Sequence, residues 1–248
     1  MISTFLFALF RFASHLTKLQ TLDLSKTAFI VVDVQNDFIT GTLSLSNCPA
    51  NDCGEEVVPV INEMIKNYGK DFAKVVYTKD WHPQDHISFY ENRENWGGSS
   101  EMAMFSKQVL TRENKFFKDY EQILWPAHCI RDTWGSMLHK DLTIVSESLI
   151  VNKGIHSDSE AYSGFFDNKK EFKTELDESL RKDGITDLVI CGLATDVCVD
   201  FTVKDAVSLG YKVKVVLEAC RGVDEEQIQK VIENWKQIGV EIVDKNLQ

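Results

Sequence analysis

At 248 residues, with 44% hydrophobic and 26% charged positions, the chain has an ordinary globular composition, which argues against disorder, collagen-like repeats and a membrane protein. The net charge of −11 leaves no excess of Lys and Arg for nucleic acid or an anionic membrane surface, so neither is an expected partner. Six cysteines, Cys48, Cys53, Cys129, Cys191, Cys198 and Cys220, follow no framework spacing and read as reduced intracellular thiols.

In chain order, residues 1–26 form an N-terminal extension whose apolar run Phe5-Leu6-Phe7-Ala8-Leu9-Phe10 precedes Arg11. A secretory signal would carry its positive charge ahead of the apolar core, and the run is too short to span a bilayer. The extension is expected to pack on the domain or on a second subunit, which leaves a homo-oligomer open. A cytoplasmic location is expected, with organellar targeting by this extension also left open. Residues 27–248 read as one domain without internal repeats or a Pro/Gly/Ser-rich linker.

Near-continuous apolar runs at 28–34, 74–78, 148–151, 187–191, 212–217 and 240–243 predict buried strands of a parallel sheet. Helical patterns cover 55–68, 169–182, 195–209 and 225–238, the last with acids in its first turn and Gly239 just past its end. The alternation predicts an α/β fold, a three-layer α/β/α sandwich around a mostly parallel sheet. The aromatic stretch 82–144 shows no regular pattern, and loops of that length in a compact domain usually serve function.

In open α/β sheets the ligand site lies beyond the carboxyl ends of the strands, and four polar clusters fall at such ends. Asp33 follows the first strand, where burial would raise its pKa and suit it to general acid–base work. Asp80-Trp81-His82-Pro83 follows the second. Residues two apart in extended backbone face the same side, so Asp80 and His82 could grip one ion. His128, within Trp125-Pro126-Ala127-His128-Cys129, offers a third ligand, and His86 is a weaker candidate suited to orienting the others. Two histidines and a carboxylate suit Zn²⁺, and also Fe²⁺ or Mn²⁺. Lys153, after the run 148–151, could stabilise a thiolate. With Thr195 as helix cap, Cys198 would lie in a first turn whose dipole and backbone N–H groups favour a thiolate and hold an oxyanion. Each residue alone has a plainer reading as a capping Asp, a loop His, a surface Lys or an inert Cys. Their convergence favours a site.

Taken together, Asp33-Val34-Gln35-Asn36-Asp37-Phe38, Asp80-Trp81-His82-Pro83 with His86-Ile87-Ser88-Phe89, Trp125-Pro126-Ala127-His128-Cys129, Lys153-Gly154 and Gly192-Leu193-Ala194-Thr195-Asp196-Val197-Cys198 resemble the nicotinamidase/pyrazinamidase branch of the isochorismatase-like cysteine hydrolases. The resemblance implies hydrolysis of nicotinamide to nicotinate and ammonia through a cysteine thioester, with Asp33, Lys153 and Cys198 as catalytic triad. It also implies one divalent ion, foremost Zn²⁺, on Asp80, His82 and His128, meeting the pyridine nitrogen. Phe38, Trp125 and Tyr162 would wall the ring. Backbone N–H groups of Ala194 and Cys198 would form an oxyanion hole, beside a cis peptide preceding Ala194. The insertion at 90–124 departs from the compact bacterial pattern and bears on lid shape and oligomer contacts. The competing readings are a non-haem iron oxygenase, expected in a β-rich fold, a binding module with a dead site, and a hydrolase for another heteroaryl amide such as pyrazinamide.

Overall fold

The computed structural model describes residues 22–111 and 120–248. Residues 1–21 of the N-terminal extension, with their expected packing role, lie outside the described residues, as do 112–119 of the insertion. In chain order the helices and strands are β1 (Thr27–Val32), α1 (Asn36–Ile39), α2 (Val57–Tyr68), β2 (Lys74–Asp80), β3 (Lys107–Leu110), β4 (Tyr120–Ile123), β5 (Leu149–Lys153), α3 (Leu176–Lys182), β6 (Asp187–Leu193), α4 (Asp200–Ser208), β7 (Lys212–Arg221), α5 (Glu225–Gln237) and β8 (Glu241–Val243).

Six strands form one sheet in the order β5-β2-β1-β6-β7-β8, every pairing parallel, while β3 and β4 make a separate antiparallel pair. β1 is buried along its whole length and β6 along nearly all of it, which is why both read as unbroken apolar runs. From β1 the chain moves outward to β2 and β5, then returns to β6 and continues to β7 and β8. Right-handed crossovers in opposite directions place α2 on one face and α3, α4 and α5 on the other, giving the expected three layers. The order reverses between β1 and β6, which opens a crevice at their carboxyl ends. Gly192 allows the close approach there: its φ is +122°, and a Cβ would lie 2.1 Å from the Val32 carbonyl oxygen.

Several boundaries differ from the sequence reading. The helix expected over 169–182 begins at Leu176. The Asp167 carboxylate accepts the Phe172 N–H at 2.8 Å and the Lys169 N–H at 3.3 Å, and Phe166 bridges Lys173, so the side chain offers this backbone a turn in place of a helix. Thr195 does not cap its helix. Ala194 precedes a π-helical turn, Thr195–Val199, that leads into α4, and its carbonyl accepts the N–H groups of Val197 and Val199 at 3.0 and 3.1 Å. β1 stops at Val32 because Asp33 turns the chain at φ 49°. β2, β5 and β7 run past their apolar stretches to Asp80, Lys153 and Arg221, held by continued pairing. The β3–β4 pair lies in the stretch that carries no pattern, since each strand has only four residues. All six cysteines are free thiols, Cys53 alone exposed. Among the described residues no helix is long and apolar enough to cross a membrane.

Candidate active site

Four strand ends meet at the switch point. Asp33 follows β1, Asp80 ends β2, Lys153 ends β5 and Cys198 follows β6 in the π-turn. The Lys153 ammonium is the hub: Nζ lies 2.9 Å from Asp33 Oδ2 and donates to Asp80 Oδ1 at 2.5 Å, the Ala161 carbonyl at 3.0 Å and Cys198 Sγ at 3.4 Å. The Thr78 hydroxyl donates to Asp33 Oδ1 at 2.6 Å. Asp33, Asp80 and Cys198 present atoms within 4.8 Å of one another.

Burial sets the resting charges of this group. It pushes the Asp33 carboxyl up to about 6, against the pull of Lys153. Burial pulls the Lys153 pKa down, but the carboxylates of Asp33 and Asp80 outweigh it and hold the pKa well above the usual lysine value. Cys198 departs from expectation. Lys153 does pull its pKa down, yet burial and the two carboxylates win, and the thiol stays well above its ordinary value. The resting pair is therefore a thiol beside a carboxylate of unusually high basicity, with Lys153 as a fixed cation between them.

Asp80 turns its other oxygen to a histidine pair. Oδ2 lies 3.5 Å from His82 Nε2 and 3.8 Å from His128 Nε2. Each histidine has Nδ1 on a backbone carbonyl, Gly154 at 2.9 Å for His82 and Pro126 at 2.8 Å for His128. A carbonyl only accepts, so Nδ1 carries a proton, and in the neutral ring Nε2 offers a lone pair. His82 Nε2 is buried with no hydrogen-bond partner among the described residues. This donor set, mutually within 4.8 Å, fits a divalent cation. His86 is arranged otherwise: Nε2 faces the Ser159 carbonyl at 3.2 Å and Nδ1 the Ser88 hydroxyl at 2.7 Å, while the ring stacks on His82 at 4.1 Å. With both nitrogens engaged it supports the His82 ring. Burial, then the neighbouring His82, keeps it neutral.

A pocket of about 370 Å³, including its open mouth, joins the two groups. Phe38, Trp125, Tyr162 and Ala194 line it together with Asp80, His128 and Cys198. Trp125 Nε1 donates to the Tyr162 hydroxyl at 2.9 Å, and Phe38 tilts against His128 at 5.5 Å. The peptide Leu193–Ala194 is cis, at the position expected.

The sequence reading missed several residues that hold this arrangement. The Gln35 amide accepts the Asp80 N–H at 2.8 Å and donates to the Asp80 and Ser136 carbonyls, tying the end of β1 to the end of β2. Asp37 accepts the Cys129 N–H at 2.7 Å and so fixes the residue after His128. Both sit inside a motif quoted for Asp33 and Phe38 alone, and their polar character at a buried strand end was the available signal. Glu160, buried against His82 and His86 with an oxygen accepting the Ala161 N–H at 2.8 Å, also lines the pocket. Nothing in its sequence neighbourhood marks it.

Residues 27–246 match the isochorismatase domain. The chain is 36% identical over 223 residues to the nicotinamidase of Saccharomyces cerevisiae, covering 87% of this chain and 98% of that one. Among solved structures, the yeast nicotinamidase Pnc1p bound to the inhibitor nicotinaldehyde superposes with a TM-score of 0.76 at 34% identity, covering 88% of this chain and 99% of that one. A pyrazinamidase of Pyrococcus horikoshii in complex with zinc gives 0.68 at 32% identity, covering 88% and 99%.

Proposed function

The chain belongs to the isochorismatase family, and we infer that it hydrolyses nicotinamide to nicotinate and ammonia. One observation carries this reading. A single buried cation, Lys153 Nζ, touches a thiol, its neighbouring base and a carboxylate of the histidine cluster at the floor of an aromatic-walled pocket. The yeast relative acts as a nicotinamidase, which supports the substrate. An iron oxygenase would leave Cys198 and Lys153 idle and would be expected in a β-rich fold, whereas this sheet is parallel with helices between its strands.

In the reaction we propose, Asp33 takes the Cys198 proton as sulfur attacks the carboxamide carbon, and Lys153 stabilises the sulfur anion as it forms. Lys153 is not the base, because its carboxylate neighbours keep it protonated. Backbone N–H groups of Ala194 and Cys198 hold the developing oxyanion, each such donor lowering the barrier by about 3 kcal/mol. The C–N bond breaks, Asp33 returns its proton to the departing ammonia, and a Cys198 thioester of nicotinate remains. Asp33 then takes a proton from water, which attacks the thioester. The C–S bond breaks and the proton returns to sulfur, restoring the thiol. Asp80, His82 and His128 would hold a divalent cation, foremost Zn²⁺, a choice supported by the zinc-bound pyrazinamidase. When bound, the ion would supply a Lewis acid for the pyridine nitrogen, drawing electron density from the ring. Phe38, Trp125 and Tyr162 orient the ring and exclude water.

The test is ammonia release from nicotinamide, pyrazinamide and benzamide, with metal content measured alongside. Turnover of nicotinamide is expected to exceed that of benzamide, which lacks a ring nitrogen. Metal-loaded protein that releases no ammonia from nicotinamide would overturn the reading.

A further inference from the structure

We propose that Gln122 is a positioning residue for the ring slot, holding Trp125 and Tyr162 at the spacing that nicotinamide needs. The inference rests on the reading that these two rings wall the substrate. Gln122 lies on β4 opposite Gln108 and is 2% exposed. Its Nε2 donates to the Tyr162 hydroxyl at 3.2 Å and to the Ile123 carbonyl at 2.7 Å. Trp125 Nε1 donates to the same hydroxyl at 2.9 Å. The phenol oxygen thus accepts from two directions, and the Trp125 and Tyr162 rings meet edge to face, 83° between planes, with centroids 6.5 Å apart.

The two rings ride on separate stretches of chain. Trp125 is fixed through its backbone, whose N–H donates to Ser88 and whose carbonyl accepts from Tyr90. Tyr162 is held at its N–H by the Asn168 side chain at 3.1 Å. Gln122 and the Trp125 indole tie the far end of the tyrosine to the other stretch. Without the Gln122 donor the phenol keeps the Trp125 indole and its edge-to-face contact with Phe201, and its hydroxyl end is set less narrowly against Trp125.

The amide orientation is fixed by its neighbours. The Ile123 carbonyl only accepts, so the atom facing it must be an N–H group. Oε1 is left buried, with no hydrogen-bond partner among the described residues. A buried acceptor without a donor is destabilising, a cost set against the two hydrogen bonds that Nε2 donates. A residue that breaks a local rule without a gain in stability points to function.

The experiment compares wild type with Gln122→Met, Tyr162→Phe and the double variant. Steady-state kinetics on nicotinamide, thermal unfolding and alkylation of Cys198 by iodoacetamide are read for each. For Gln122→Met, KM is expected to rise about five- to tenfold with kcat within about twofold, the pattern of lost ground-state positioning. Its Tm should stay close to that of wild type, since two lost hydrogen bonds are set against one relieved buried oxygen, and alkylation, which needs no ring, should keep its rate. The double variant should be no worse than Tyr162→Phe alone, since both act at one hydroxyl. An unmoved KM, additive losses, or kcat, alkylation and Tm falling together would overturn the inference while wild-type turnover left the functional reading standing. Absence of ammonia release from wild type would overturn both.

Discussion

A Cβ on Gly154 would lie 2.3 Å from Cε1 of His82, so the residue after Lys153 is the wall on which the histidine ring rests. The Gly154 carbonyl also takes the His82 Nδ1 proton at 2.9 Å, and its φ is +63°. One glycine therefore couples the end of β5 to the candidate metal site. Gly154→Ala should displace the His82 ring and strain the backbone, costing about 1–3 kcal/mol of stability. Metal content of the purified variant should fall along with turnover. Wild-type metal stoichiometry in Gly154→Ala would show that the ring has room to move.

The two stacked histidines should behave differently. His82 offers a free Nε2 to an ion, whereas both nitrogens of His86 are occupied. His82→Ala is expected to lose bound metal and activity together. His86→Ala removes only a support, which typically weakens metal affinity about 10–100-fold and is overcome by added metal. Metal analysis before and after zinc supplementation separates the two. Full occupancy in unsupplemented His82→Ala would exclude it as a ligand.

Asp33 predicts the acid side of the pH profile. Its carboxyl is pushed up to about 6, and the ionised form is the base in the proposed reaction. Protonation removes the acceptor for the thiol proton, so kcat/KM should fall as pH drops below about 6 and level off above it. Asp33→Asn should lower turnover about 10²–10⁴-fold, slowing both thioester formation and hydrolysis. An acid limb that persists in Asp33→Asn would assign the base to another group.

The Cys198 thiol should resist alkylation near neutral pH, because burial and two carboxylates raise its pKa despite Lys153. In Lys153→Met the inflection should move higher still, as the positive charge that pulls it down is gone. That variant strands two buried carboxylates, a loss of about 3–5 kcal/mol, so the comparison is made well below its reduced Tm. Cys198→Ala should keep fold and metal but release no ammonia and show no thioester by mass spectrometry. An unchanged thiol inflection in Lys153→Met would remove the lysine from the proposed triad.

What the sequence determined by itself was the sheet and the candidates at its ends. Apolar runs such as Ala28-Phe29-Ile30-Val31-Val32 are local statements of burial on both faces. A polar residue that closes such a run sits at a strand end wherever the strand goes, so Asp33, Asp80, Lys153 and Cys198 could be found without knowing which strands are neighbours. Only the tertiary structure decided the rest. Strand order brings Lys153 to Asp80, 73 positions away, and to Cys198, 45 away. The thiol's pKa depends on what the whole packed interior excludes, and no local pattern records that. Gly154, Glu160 and Gln122 meet partners on other segments, and Asp167 defeats a helical pattern by binding backbone five residues on. Periodicity reports which face of an element is buried. It carries no information about what that face meets, and the chemistry of this site lies in the meeting.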